Sequence, residues 1–152
     1  MAARDENSVP SFLLVDGNNI IHAWPELLDL HRRVPGSAYL ELIRRLADFR
    51  DFSDERIVVV FDGRASATTE ERPTPGLQVI YTSQSQTADD VIERLTTKYA
   101  GRYRITVATD DRAEQDLVVA AGGEVISAEG LRQRIEAGRR DLDDWIKRNR
   151  KR

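Results

Sequence analysis

The sequence predicts an α/β protein, a three-layer α/β/α sandwich around a mostly parallel sheet. Three observations carry this. Continuous apolar runs of strand length alternate with segments of helical periodicity along the chain. The runs lack the in-out alternation of a half-solvated sheet, so they read as strands covered on both faces. At 152 residues the chain fits one domain that can bury a core without disulfides or structural metal.

Phe12-Leu13-Leu14-Val15 is the first strand, stopping at Asp16-Gly17. Ile20 to Leu30 reads as a short helix interrupted at Pro25, and Ser37 to Phe49 as an amphipathic helix through Leu40, Ile43, Leu46 and Ala47. Ile57 to Phe61 is the second strand, again stopping in Asp-Gly. Arg64 to Gly76 has no periodicity and reads as an exposed loop or lid. Leu77 to Tyr81 is the third strand. Thr87 opens a helix whose apolar face runs through Ala88, Val91, Ile92, Leu95 and Tyr99. Arg104 to Ala108 is the fourth strand, and a helix follows from Asp111 to Ala121. Glu124 to Ile126 is a short fifth strand, and Ser127-Ala128-Glu129 starts a helix that Gly138 is expected to end. The organisation is thus an extension over residues 1–10, a core domain over 11–137 and a basic helix or tail over 138–152.

Composition narrows the chemistry. With no cysteine, thiolate metal sites and cysteine nucleophiles are excluded, and only His22 and His31 offer imidazole, so a metal must be held by oxygen. The first ten residues have several charges and no apolar run, unlike a signal peptide, and no stretch is long and apolar enough to cross a bilayer. A cytosolic protein is expected. The net charge of −3 is unevenly spread: residues 138–152 carry seven Lys or Arg against three Asp, a local +4 that leaves about −7 for the rest.

Ligands of open parallel sheets bind at the carboxyl ends of the strands, where strand order reverses. Three strands end in acid there: Asp16, Asp62 and, after Thr109, Asp110. Thr87 can cap its helix with Asp90 closing a capping box, which leaves Asp89 unexplained; Asp111 and Glu114 have the same spacing, which leaves Asp110. Any one of these acids is accounted for by turn chemistry. Together on one rim they repel unless cations lie among them, which suits a hard divalent ion. Asn19 adds a polar group able to orient a ligand or water.

Leu14-Val15-Asp16-Gly17-Asn18-Asn19-Ile20-Ile21, Ala23-Trp24-Pro25, Val60-Phe61-Asp62, Thr87-Ala88-Asp89-Asp90 and Ala108-Thr109-Asp110 occur in this order across nearly the whole chain. In these motifs the sequence resembles the NYN family of PIN-like ribonuclease domains, in its YacP-like branch. The resemblance implies a PIN-like sandwich, Mg2+ or Mn2+, and endonucleolytic cleavage of RNA. It places Asp16, Asn19, Asp62, Asp89 and Asp110 in the acidic pocket, Asp16 and Asp110 as direct metal ligands, Asp62 and Asp89 as direct or water-mediated ones and Asn19 as an orienting group. Asn18 stands where that branch often carries an aromatic residue.

RNA is the expected partner, free or ribosome-bound; no nucleotide cofactor and no membrane partner is expected. Arg64 and Arg112 flank the acids and are placed to meet phosphate. Lys147, Arg148, Arg150, Lys151 and Arg152 form a terminal basic cluster that either binds RNA backbone or is a solvated helix end favoured by the helix dipole. Trp145 is expected to dock on the core with Leu142 and Ile146, base stacking being the alternative, and His22 to pack beside Trp24. Two rival readings are a non-catalytic RNA- or ribosome-binding module on the same fold and a DNA-cleaving nuclease.

Overall fold

The computed structural model describes residues 9–63 and 65–150. Its elements are β1 (Ser11–Asp16), α1 (Gly17–Ala23), α2 (Pro25–Arg33), α3 (Ser37–Arg50), β2 (Arg56–Phe61), β3 (Thr69–Thr74), β4 (Leu77–Tyr81), α4 (Ala88–Tyr99), β5 (Arg104–Ala108), α5 (Arg112–Ala120), β6 (Glu124–Ile126) and α6 (Ala128–Arg150). Among the described residues the six strands form one sheet in the order β3-β4-β2-β1-β5-β6. All neighbours are parallel except β3, which runs antiparallel to β4.

Alternation along β1 sends Leu13 and Val15 to one face of the sheet and Leu14 to the other. The first face packs with Ile57, Val59 and Phe61 beneath α1, α2, α3 and the start of α6, through Ile20, Leu27, Leu42, Leu46 and Leu131. The second packs Leu14, Val58 and Val60 beneath α4 and α5, through Val91, Ile92 and Val118. Both faces are covered, as the unbroken apolar runs require, and the molecule is the expected α/β/α sandwich.

Two expectations change and one holds. The segment from Arg64 to Gly76 is partly a strand: Thr69 pairs with Tyr81 and Glu71 with Val79. Five of its six strand residues are exposed, so no side chain has a core to face and no pattern marks it; backbone pairing alone defines it, with Pro73 where an edge strand tolerates a missing donor. Gly138 does not end a helix, because α6 continues unbroken to Arg150. Gly138 has no left-handed φ that would stop the helix, and a Cβ there would lie 3.5 Å from the Phe49 ring of α3, an ordinary contact. The chain does break at Trp24-Pro25, where Trp24 is extended and Pro25 starts α2.

Trp24 also fastens α6 to the body. Its indole N–H donates to the carbonyl of Ala128 at 3.1 Å, and the guanidinium groups of Arg45 and Arg132 lie over its ring at 5.7 and 4.9 Å from the centroid. Glu26 accepts from both arginines at 3.0 and 2.8 Å, joining α2, α3 and α6. His22, expected beside Trp24, instead meets the His31 ring edge-on at 5.6 Å.

The turn from β1 into α1 has no room for a side chain, since a Cβ on Gly17 would fall 2.3 Å from the buried Phe61 ring. Gly17→Ala is expected to destabilise the protein by about 1–3 kcal/mol through overpacking, read as a lower urea midpoint at unchanged slope.

Candidate metal centre

β1 lies between β2 and β5 in the sheet, and the connection returns to its other side only after β4. The crevice at this reversal opens at the carboxyl ends of β1 and β5. Asp16 ends β1 there and is only 5% exposed. Asp89 enters from the first turn of α4 and Glu114 from the first turn of α5. One carboxylate oxygen of each of these three residues lies within 4.8 Å of the others.

Glu114 is the member that sequence reasoning did not find. Its spacing from Asp111 fits a capping box, and half of that box exists: Asp111 Oδ1 accepts from the Glu114 backbone N–H at 3.1 Å. The other half does not form, because the Asp111 N–H already donates to Thr109 Oγ1 at 3.1 Å. The Thr109 hydroxyl in turn donates to Glu114 Oε2 at 2.9 Å and turns that side chain into the crevice. Glu114 is 3% exposed, and its Oε1 is buried with no hydrogen-bond partner. A buried unpaired oxygen is costly. At Thr87 the box is complete, with Asp90 closing it, so Asp89 is the spare acid expected there.

Burial pushes the Asp16 carboxyl up to about 6, a hydrogen bond with Glu114 pulling the other way and the Asp89 charge adding to the rise. Burial likewise raises Glu114, to about 10, with the Asp16 hydrogen bond and charge next in weight. In the absence of a cation one proton therefore stays on Glu114 and is shared toward Asp16. A divalent ion ligated by these oxygens would take the place of that proton and give Glu114 Oε1 the partner it lacks. The all-carboxylate donor set fits a hard cation.

The structure gives Asp62 and Asp110 other bonds. Asp62 Oδ1 accepts from the Ala88 N–H at 2.7 Å and Asp110 Oδ1 from the Ala128 N–H at 2.8 Å, so each carboxylate binds the start of the helix beyond it, α4 and α6 respectively. Both are exposed, and neither shares the cluster formed by Asp16, Asp89 and Glu114. Asn18 and Asn19 act on the same two residues through the backbone. Asn18 Oδ1 accepts from the Asp62 N–H and Asn19 Oδ1 from the Asp110 N–H, both at 2.9 Å. Asn18 also donates to the Tyr39 hydroxyl at 3.4 Å, a polar use of a position where the resemblance suggested an aromatic ring. Arg112 is exposed at the start of α5. Lys147, Arg148 and Arg150 lie at the far end of α6, while Arg64, Lys151 and Arg152 fall outside the described residues.

The raised carboxyls fix a pH dependence. In the cation-free protein Glu114 keeps a proton that the unfolded chain releases near its ordinary value of 4.5, so the associated stability is fully present below that value. It is lost as pH rises toward about 10. Glu114→Gln keeps the shape without the titration. In EDTA the variant is expected to gain stability over the wild type progressively between pH 5 and 9, read from urea midpoints; a constant difference across that range would contradict the assignment.

The chain matches the YacP-like NYN domain over residues 13–152. It is 33% identical over 138 residues to a Bacillus subtilis (strain 168) protein named Uncharacterized protein YacP, covering 90% of this chain and 81% of that one. The fold is similar to the crystal structure of Rae1 (YacP) from Bacillus subtilis, with a TM-score of 0.76 at 31% identity over 90% of this chain and 80% of that one. For a tryptophan-to-leucine mutant of the same protein the TM-score is 0.79 at 31% identity, over 93% and 84%. With its sheet order, its acidic crevice and these likenesses in agreement, the chain is a member of the YacP-like NYN family, within the PIN-like nuclease class.

Proposed function

We propose that the chain is a metal-dependent endoribonuclease that hydrolyses phosphodiester bonds of RNA in the cytosol, with Mg2+ or Mn2+ as its ion. The observation that carries this reading is the convergence of Asp16, Asp89 and Glu114 from three separate elements within 4.8 Å, with a buried oxygen of Glu114 unpaired. Such an arrangement adds nothing to stability by itself, since burial, with mutual repulsion added, raises the carboxyls it contains.

Asp16, Asp89 and Glu114 would hold the ion directly. Bound there, it would lower the pKa of a water molecule and offset charge developing on the phosphate. Asp16 and Glu114, buried, exclude water from the floor of the crevice, and Thr109 keeps Glu114 turned inward. Asp89, exposed, leaves the outer side open to a substrate. Asp62 and Asp110, with one oxygen each committed to a helix, act at the rim through water. Asn19 keeps the backbone of Asp110 at that rim, and Arg112 meets a substrate phosphate. No side chain serves as nucleophile. Helix α4 begins where Asp62 holds it, so the position of Asp89 depends on a residue outside the cluster.

Purified protein with Mn2+ is expected to cut a mixed single-stranded RNA pool, and cutting should vanish in EDTA. Asp16→Asn and Glu114→Gln should each reduce the rate by about 100-fold or more, at or beyond the loss typical of a group that supports a metal ligand. Failure of the wild type to cut either free or ribosome-bound RNA would sink the proposal in favour of a binding module. Affinity for Mn2+, measured calorimetrically, should rise with pH and be accompanied by proton release, because the ion replaces the proton held between Glu114 and Asp16.

A further inference from the structure

Helix α6 connects the rim to a surface far from it. Its first residue, Ala128, donates to Asp110 at the edge of the crevice, and Trp24, Arg132 and Glu26 clamp its first turns to the body. The helix then runs 23 residues without a break; at about 1.5 Å per residue its far end stands roughly 33 Å from that edge. The distal turns leave the core. Trp145 is 58% exposed and Ile146 39%, against the expectation that both dock; the open groove between α3 and α6, lined by Phe49, Ile135 and Leu142, includes neither of them.

The last described turns, Trp145 to Arg150, hold Lys147, Arg148 and Arg150 and no acid. Asp143 and Asp144 lie one turn back, yet among the described residues none of the three cations is in an ion pair. Cations at a helix C-terminus are favoured by the dipole alone, but the dipole does not explain an indole held in water beside them. An exposed aromatic ring among unpaired cations is the composition that binds single-stranded nucleic acid, the ring stacking on a base and the cations following phosphates.

Resting on the ribonuclease reading of the crevice, we propose that the distal end of α6, Trp145 with Lys147, Arg148 and Arg150, is a second RNA-contact surface that holds the strand at a distance from the bond to be cut. The body carries the negative surplus and this end the positive one, so a polyanion approaches the end first. Its position is fixed relative to the carboxylates by a rigid helix, so the surface contributes only when the strand is long enough to reach both.

The test compares the full chain with a Lys147→Gln/Arg148→Gln/Arg150→Gln variant and with Trp145→Ala, both changed only at exposed positions and checked for wild-type circular dichroism. Fluorescence anisotropy in EDTA reads binding of a labelled single-stranded RNA of about twenty nucleotides, beyond the usual site size of a single-strand module. The triple variant is expected to lower the slope of log affinity against log salt by about 2, from three phosphate contacts at about 0.7 each. Trp145→Ala should weaken binding about fivefold or more. Cleavage with Mn2+ supplies the second readout: KM for the long RNA rises in both variants at unchanged kcat, while an RNA of about four nucleotides is cut as by the wild type. Unchanged anisotropy and salt slope would overturn the proposal and leave the basic end solvated or bound to a protein. An equal loss on short and long RNA would overturn its remoteness. If no protein cuts but anisotropy responds as expected, the contact surface stands and the nuclease reading falls.

Discussion

Two carboxyl groups buried against each other govern this molecule. Asp16 and Glu114 sit at the floor of the crevice, where both cannot be ionised unless something positive lies between them. A proton held between them serves when no cation is present. Thr109 and Asp111 hold this arrangement from one side through three hydrogen bonds, and the start of α4 brings Asp89 against it from the other. The fold thus stores a demand for positive charge at the one place where the sheet topology opens a cleft.

The remaining rim acids also hold helices, a use that a linear sequence conceals. Asp62 and Asp110 use a carboxylate oxygen to hold the first N–H of α4 and of α6. They join consecutive layers of the sandwich and decide where Asp89 and Trp24's partner Ala128 can lie. An acid at a strand end and an acid that ligates a metal obey the same local rules, so position along the chain does not separate them. Three-dimensional convergence does.

Much of the fold was legible because its signals are local. Each buried strand is an unbroken apolar run, Pro25 marks a break, and Thr87 with Asp90 announces a helix start that the structure reproduces atom for atom. Within the site, Asp16 was legible as an acid at a strand end and Asp89 as an acid that capping left unexplained. Glu114 was not, since its spacing from Asp111 offered a sufficient local explanation and only the competing bond from Thr109 redirects it. Strand β3 escaped because an edge strand with no buried face has no hydrophobic period. Gly138 misled because glycine ends helices when it turns left-handed, whereas here it keeps a helical backbone inside α6. The exposed distal end of α6 depended on how far the groove beneath it extends, a property of α3 rather than of α6.

The dipeptide Asn18-Asn19 links the two halves of the rim. Its two side chains reach in opposite senses, one to the strand end at Asp62 and the other to that at Asp110, across β1, which separates them. In both cases the group they hold is a backbone N–H. The spacing of the two strand ends is therefore held through the main chain of residues 62 and 110, while their carboxylates separately hold α4 and α6. A rim built this way divides its labour: the amides of Asn18 and Asn19 set the strand ends, and the two aspartates set the helices, so neither pair can be exchanged without moving a different part of the cleft.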